Sequence, residues 1–290
     1  PPRRPHRQEG SVPHRPPARR LAEQLTHRVV LPRRLPPPYR ASRIYVSSEG
    51  GLKYLRPSLA RVDPMLTGLV AEVIRPGHVV WDVGANLGLF TFTAARAAAP
   101  GGTVVAIEPD TWLVSLLRRS ARLSTRSTGP AREQAAVEIL PAAVGASTGV
   151  GRFQVARRSR ATSHLAGFGG SQAGGVRTTH LVPTVTLDGL LADLPAPDVV
   201  KIDVEGAERA VLAGANHLLA AVRPVLICEV ATPNAEAVGA LLARHDYRIV
   251  DADTPPTRRR PLLIAPWSTL AVPTTARPPD QPVALRQARA

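Results

Sequence analysis

Short apolar runs alternate with segments of helical composition along the middle of the chain, the pattern of a parallel α/β sheet. Val79-Val80-Trp81 reads as a strand buried on both faces, and the segment from Leu89 to Ala99 as the helix after it. Thr103 to Ile107 predicts a second strand and Val137 to Leu140 a third; Val199 to Ile202 and Val225 to Glu229 predict two more. Helices are expected over about 64–74, 207–219 and 235–243, and a strand over 247–250, with residues 261–272 completing the sheet.

Where these strands end, the chain carries chemistry. Asp82 closes the first strand before Gly84 and Gly88, small residues that let backbone approach a ligand, and the following helix points free N–H groups at the turn. The second strand ends in Glu108-Pro109, twenty positions after Gly88, at the distance where an acid can accept both hydroxyls of a ribose. The glycine spacing is G-x-x-x-G, not the G-x-G-x-x-G that packs a pyrophosphate on a helix, so a bound diphosphate is disfavoured. The structural alternatives are that Asp82 caps the helix and that Glu108 is an exposed strand end.

Further on, Lys201-Ile-Asp-Val-Glu-Gly-Ala-Glu208 places Asp203 and Glu205 two apart, on one side of a continuing strand. With Glu229 at the end of the next strand, three carboxylates can converge at the rim of the sheet, where open parallel sheets bind ligands. Such acids can hold a divalent cation through oxygen, or one can take the proton of a substrate hydroxyl. Lys201, flanked by apolar residues, is expected to pair with one of them. Glu208, and by the same alternative Glu205, stands where an acid caps the helix that follows.

The turn Asp82-Val-Gly-Ala-Asn-Leu-Gly88, the Ile107-Glu-Pro109 strand end and Lys201 to Glu208 together resemble the FkbM-type methyltransferases, in that family's order from roughly Val79 to Val230. Thr186-Leu-Asp188 and Arg223 to Glu229 belong to the same resemblance. It implies a class I methyltransferase Rossmann-like fold, a mostly parallel central sheet flanked by helices, with S-adenosylmethionine as cofactor. Asp82, Gly84, Ala85, Asn86 and Gly88 would then shape the pocket for its methionine and ribose portions. Glu108 with Pro109 would hold the ribose hydroxyls, and Ala143, in the small-residue stretch Pro141 to Gly145, would flank the adenine. Asp203 would touch both cofactor and chemistry, and Asp203, Glu205 and Glu229 would be the catalytic acids. The implied acceptor is a hydroxyl of a sugar, glycolipid or polyketide-like metabolite. A divalent metal is permitted without being required.

Two segments sit outside this frame. Residues 149–179 are rich in Gly, Ser and Arg and read as either a lid loop folding over the pocket or a disordered stretch; they contain Ser163-His164-Leu165, in which His164 is either a base or a solvated loop histidine. Asp188 reads as the N-cap of a short helix over 189–194.

Charge separates the ends from the middle. Residues 1–43 hold ten prolines and eleven arginines against two acids, and residues 255–290 are alike, so the ends account for +9 and +5 of the net +15 and residues 44–254 for +1. The organisation expected is a disordered Pro/Arg-rich tail over 1–43, a methyltransferase domain with its lead-in over 44–272, and a disordered tail over 273–290. A near-neutral domain argues against a nucleic-acid groove in the fold, although the arginine tails could touch RNA or anionic lipid. The remaining alternatives are a nucleic-acid methyltransferase, an RNA-binding protein and a catalytically silent scaffold. The first commonly carries an N/D-P-P-Y-like turn where this chain has D-V-E-G, and a nicotinamide reductase would need a Tyr-x-x-x-Lys pair that is absent. One cysteine, Cys228, rules out an internal disulfide, and no apolar run reaches the about 20 residues of a membrane span, so the expectation is a cytoplasmic protein.

Overall fold

A computed structural model describes residues 29–125, 134–170 and 174–275. The strands, in chain order, are β1 (Val30–Arg34), β2 (Arg43–Ser47), β3 (Val79–Val83), β4 (Thr103–Ile107), β5 (Ala136–Leu140), β6 (Ala143–Val144), β7 (Gly149–Ala156), β8 (His164–Leu165), β9 (Val176–Val185), β10 (Val199–Ile202), β11 (Val225–Glu229), β12 (Tyr247–Asp251) and β13 (Ser268–Pro273). The helices are α1 (Pro64–Val73), α2 (Leu89–Ala97), α3 (Thr111–Thr125), α4 (Leu187–Leu190), α5 (Glu208–Ala213) and α6 (Ala235–Arg244).

Seven strands form the central sheet in the order β12-β13-β11-β10-β3-β4-β5, parallel except for β13, which runs antiparallel to both its neighbours. The chain lays down β3, β4 and β5 toward one edge, then returns to place β10 on the other side of β3. Strand order therefore reverses between β3 and β10, and ligands of such sheets bind beyond the carboxyl ends of the strands at that reversal. Register brings Asp82 beside Lys201 there.

Period-two alternation in the strands sorts the core into two layers. Trp81, Val83, Val105, Ile107, Val200 and Ile202 point to one face, against Val211 and Leu212 of α5 and Val238 and Leu242 of α6. Val80, Val104, Val199 and Ile227 point to the other, against Leu66, Leu69 and Val70 of α1 and Phe90, Ala94 and Ala95 of α2. Asp63 caps α1 by accepting from Leu66 N at 2.9 Å ahead of Pro64, and Asp110 caps α3 through Trp112 N at 2.9 Å.

The structure departs from the sequence expectations in four places. β1 pairs antiparallel with β2, so ordered chain begins inside the segment expected to be a tail; residues 1–28 and 276–290 lie outside the described residues. The expected lid over 149–179 is built on strands: β7 and β9 pair antiparallel, with β8 on β7 and β6 parallel to β9, and residues 171–173 lie outside the described residues. Its apolar signal is thin, because burial rests on Phe153, Val155 and Val182, with Ala143 of β6, while three threonines, Arg177 and His180 fill half of β9. The helix expected over 207–219 breaks after Ala213, and a separate π-type turn spans Leu218–Val222. Asp188 belongs to that break. Its carboxylate accepts from His217 N and Leu218 N at 2.9 and 2.8 Å, so it caps the second turn, while Thr186 Oγ1 caps α4 through Gly189 N at 2.9 Å.

Candidate functional site

Gly84 sets the depth of the cleft. It has φ +78, and a β-carbon on it would fall well inside contact distance of the Asp203 backbone carbonyl, so only glycine lets the ends of β3 and β10 come this close. Lys201 Nζ closes the same junction from below. It donates to Gly84 O at 2.9 Å and to Asp203 Oδ2 at 3.3 Å, and lies 3.4 Å from Asp82 Oδ1. Burial opposes the charge on Lys201, but Asp203 and Asp82 outweigh it and hold the ammonium protonated. The expected pairing of Lys201 with the acids is present.

The cleft opens above this junction. Its walls include Gly84, Asn86, Glu108, Pro109, Ala143, Asp203 and Glu205, which gathers the predicted residues from four strand ends into one space. Asp82, Ala85 and Gly88 stand behind the wall. Asp82 is fully buried and accepts from Thr91 Oγ1 at 2.5 Å, and Ala85 N donates to Ile107 O at 3.2 Å. Gly88, in the left-handed region at φ +85, opens α2. These three shape the pocket by fixing the turn rather than by lining it.

Glu108 is buried at the end of β4. Its Oε2 accepts from Asn86 N at 2.8 Å and its Oε1 from Asp110 N at 2.9 Å. Burial pushes its carboxyl up to about 7 against the pull of those two amides. An ionised carboxylate has about four acceptor sites, so two remain for a ligand's hydroxyls. Asn86, at φ +51, keeps its Oδ1 buried beside Gly50, with no hydrogen-bond partner among the described residues.

The acids divide. Asp203 and Glu205 both line the cleft, and Glu205 sits at φ +53 in the turn after β10. Burial, then the charges of Asp203 and Glu229, push Glu205 up to about 8. Glu229 is not in that wall. It lines a smaller neighbouring cleft with Met65, Lys201 and Ser268, and burial followed by the Asp203 charge pushes it up to about 7. The trio thus shares a field but not one surface. Among the described residues no three His, Cys, Asp or Glu side chains are grouped to hold a metal ion. Glu208 is structural: Oε1 accepts from Gly206 N at 2.6 Å and Oε2 from Asn234 Nδ2 at 2.7 Å.

The segment expected to fold over the pocket does wall it, as an antiparallel insert rather than a loop. Phe153, Arg160, Ser163 and His164 all face the cleft. Arg160 pairs with Glu49 and, at 2.6 Å, with Asp110 Oδ2, and its guanidinium lies 4.9 Å from the Trp112 ring centroid. One side chain thereby ties the insert to the lead-in and to the cap of α3. His164 is 5% exposed, not a solvated loop residue, and its Nδ1 lies 3.2 Å from Thr162 O. No periodicity marks Arg160 or Glu49, since each meets its partners across at least 50 residues of chain.

With this geometry in place, comparisons with known proteins agree with the motifs. A family model described as the methyltransferase FkbM domain matches residues 82–249. The hexuronic acid methyltransferase AglP of Haloferax volcanii is 28% identical over 163 residues, covering 55% of this chain and 59% of the relative, so the chain spans less than two thirds of that protein's length. Among solved structures, a methyltransferase FkbM from Methylobacillus flagellatus matches with a TM-score of 0.42 at 18% identity, covering 71% of this chain and 49% of that one. A SAM-dependent O-methyltransferase from Thermotoga maritima matches with a TM-score of 0.37 at 14% identity, over 74% and 67% of the two chains.

Proposed function

Since this chain belongs to the FkbM methyltransferase family, we propose that it transfers a methyl group from S-adenosylmethionine to a hydroxyl of a sugar-type acceptor. The observation that carries this reading is the placement of Glu108, Asp203 and Glu205 around one cleft, on both sides of the strand reversal at β3.

In this reading Glu108 accepts the ribose hydroxyls on the acceptor sites left free by Asn86 N and Asp110 N. Ala142 and Ala143 give a flat apolar wall to the adenine. When bound, the cofactor supplies a sulfonium-activated methyl group. The chain's own task is to place an acceptor oxygen in line with it, and orientation of this kind is worth roughly 7–11 kcal/mol in favourable systems. Glu205 takes the hydroxyl proton, its raised carboxyl being matched to work near neutral pH. Asp203, held by Lys201, orients the acceptor beside it.

His164 offers a second base. With a proton on Nδ1 given to Thr162 O, its Nε2 is an acceptor within the cleft. The sugar class rests on the hexuronic acid methyltransferase relative alone. Transfer of labelled methyl to a panel of uronic acids, neutral sugars, glycolipids and RNA tests the assignment. Label on a sugar hydroxyl supports it, label on RNA moves the protein to the nucleic-acid class, and cofactor binding without label on any acceptor identifies a silent scaffold.

A further inference from the structure

The segment between Pro261 and Trp267 turns its apolar side chains outward. Leu263 is 87% exposed, Ile264 and Trp267 each 55%, and Leu262 is 40% exposed. Scattered exposed leucines need no explanation, but four large apolar side chains within six residues form a patch.

The backbone of the same segment is firmly seated. Leu262 N donates to Ile249 O at 2.9 Å, Ala265 N donates to Ala235 O at 3.1 Å, and Trp267 O accepts from Val230 N at 2.8 Å. Gly239 of α6 has no side chain where the Leu263 carbonyl packs, and a β-carbon there would collide with it. Ala265 is buried between the exposed residues. The fold therefore holds the main chain down and presents the apolar side chains to the outside, which is unlike an untethered loop.

Charge says what faces them. Arg258 and Arg260, immediately before the patch, are exposed, while Arg259 between them is turned inward onto Glu72 and the Ala252 and Thr254 carbonyls. A tryptophan and aliphatic side chains beside exposed arginines match the boundary of an anionic bilayer, where apolar groups enter the acyl region and cations meet the headgroups. We propose that Leu262, Leu263, Ile264 and Trp267, flanked by Arg258 and Arg260, dock this protein on an anionic lipid surface. Trp267 leads into Ser268, which is in register with Glu229 at the carboxyl end of β11, so the patch adjoins the smaller cleft that Ser268 and Glu229 line.

The test uses the full chain with vesicles of phosphatidylcholine alone or mixed with phosphatidylglycerol. Arginines elsewhere in the chain can adhere to anionic lipid by charge alone, so the decisive signal is insertion. Acyl-brominated lipids should quench the fluorescence of Trp267, and Trp267→Phe should remove the quenched component, since Trp81 is fully buried and Trp112 half-buried. Leu263→Ser combined with Ile264→Ser should abolish quenching. It should also lower vesicle binding about tenfold or more at about 1 M salt, where the Debye length is only about 3 Å and apolar insertion carries the affinity. An unchanged melting temperature in that variant shows that folding is intact. Vesicle binding without Trp267 quenching would overturn the proposal in favour of charge alone. Self-association in solution that the same serines abolish, with no insertion, would overturn it in favour of a second copy of the chain on this patch. Cofactor titration of the same variant is independent of either result.

Discussion

Gly84 stands against the Asp203 carbonyl with no room for a β-carbon, and its own carbonyl takes the Lys201 ammonium at 2.9 Å. The ends of β3 and β10 are thus joined on both sides of one residue, and the cleft exists because that residue is glycine. Gly84→Ala combines a forced φ of +78 with a backbone clash, and should cost about 3 kcal/mol or more. Chemical denaturation reads the loss, and an alanine variant of wild-type stability would refute this account of the turn.

Beneath Gly84, Asp82 and Lys201 form a buried pair. Removing one partner leaves the other charged and unpaired, at a typical cost of about 3–5 kcal/mol. Lys201→Met should therefore unfold at much lower denaturant than Lys201→Met combined with Asp82→Leu. Equal losses in the two variants would show that the pair is not coupled.

If Glu108 holds the cofactor ribose as proposed, the site carries a pH dependence. Burial pushes its carboxyl up to about 7, and a ribose hydroxyl would donate to the ionised form. Affinity for S-adenosylmethionine should rise as pH rises through about 7. Glu108→Gln should weaken binding about tenfold or more and flatten that rise, because a buried acceptor pair is lost. Calorimetric titrations at several pH values decide it.

Stability runs the other way. The folded-state values of Glu108 and Glu205, about 7 and about 8, lie above the ordinary 4.5, so the native state holds protons that the unfolded chain has released. Their contribution is full below about 4.5 and is lost as pH rises to about 8. The denaturation midpoint should fall across that window, and Glu205→Gln should make the fall shallower. A midpoint that rises between these limits in wild type and variant alike would contradict the burial assigned to Glu205.

Arg160 joins the insert to Glu49 and Asp110 over the cleft. Arg160→Ala takes the guanidinium from Asp110 Oδ2 and leaves Glu49 with Arg177 at 3.1 Å, so it should lower stability by about 1–3 kcal/mol, with turnover falling more than cofactor affinity. Hydrogen exchange should show the loss concentrated in β7 and β8.

Sequence carried the parallel strands because both-face burial writes apolar runs such as Val225 to Cys228, and it carried the cleft because Asp82, Glu108 and Asp203 each follow a run of this kind, the last one broken by Lys201. It failed where long-range pairing decides. β7 and β9 are held chiefly by each other, over a small apolar cluster, so Gly, Ser and Arg in that stretch suggested a loop. Asp188 looked like the cap of its own helix because capping is read locally, whereas its carboxylate serves a turn about thirty residues on. Glu229 ends its strand as Asp203 follows its own, yet faces the neighbouring cleft, a difference of side-chain direction that spacing does not encode.

The central claim is that the cleft at the β3 and β10 ends binds a sulfonium nucleoside. Titration of the purified full chain with S-adenosylmethionine, S-adenosylhomocysteine and NAD by calorimetry addresses it most directly. The account predicts that both sulfur nucleotides bind, that NAD does not, and that Glu108→Gln weakens both. A folded protein that binds neither sulfur nucleotide, or binds NAD equally well, would contradict it.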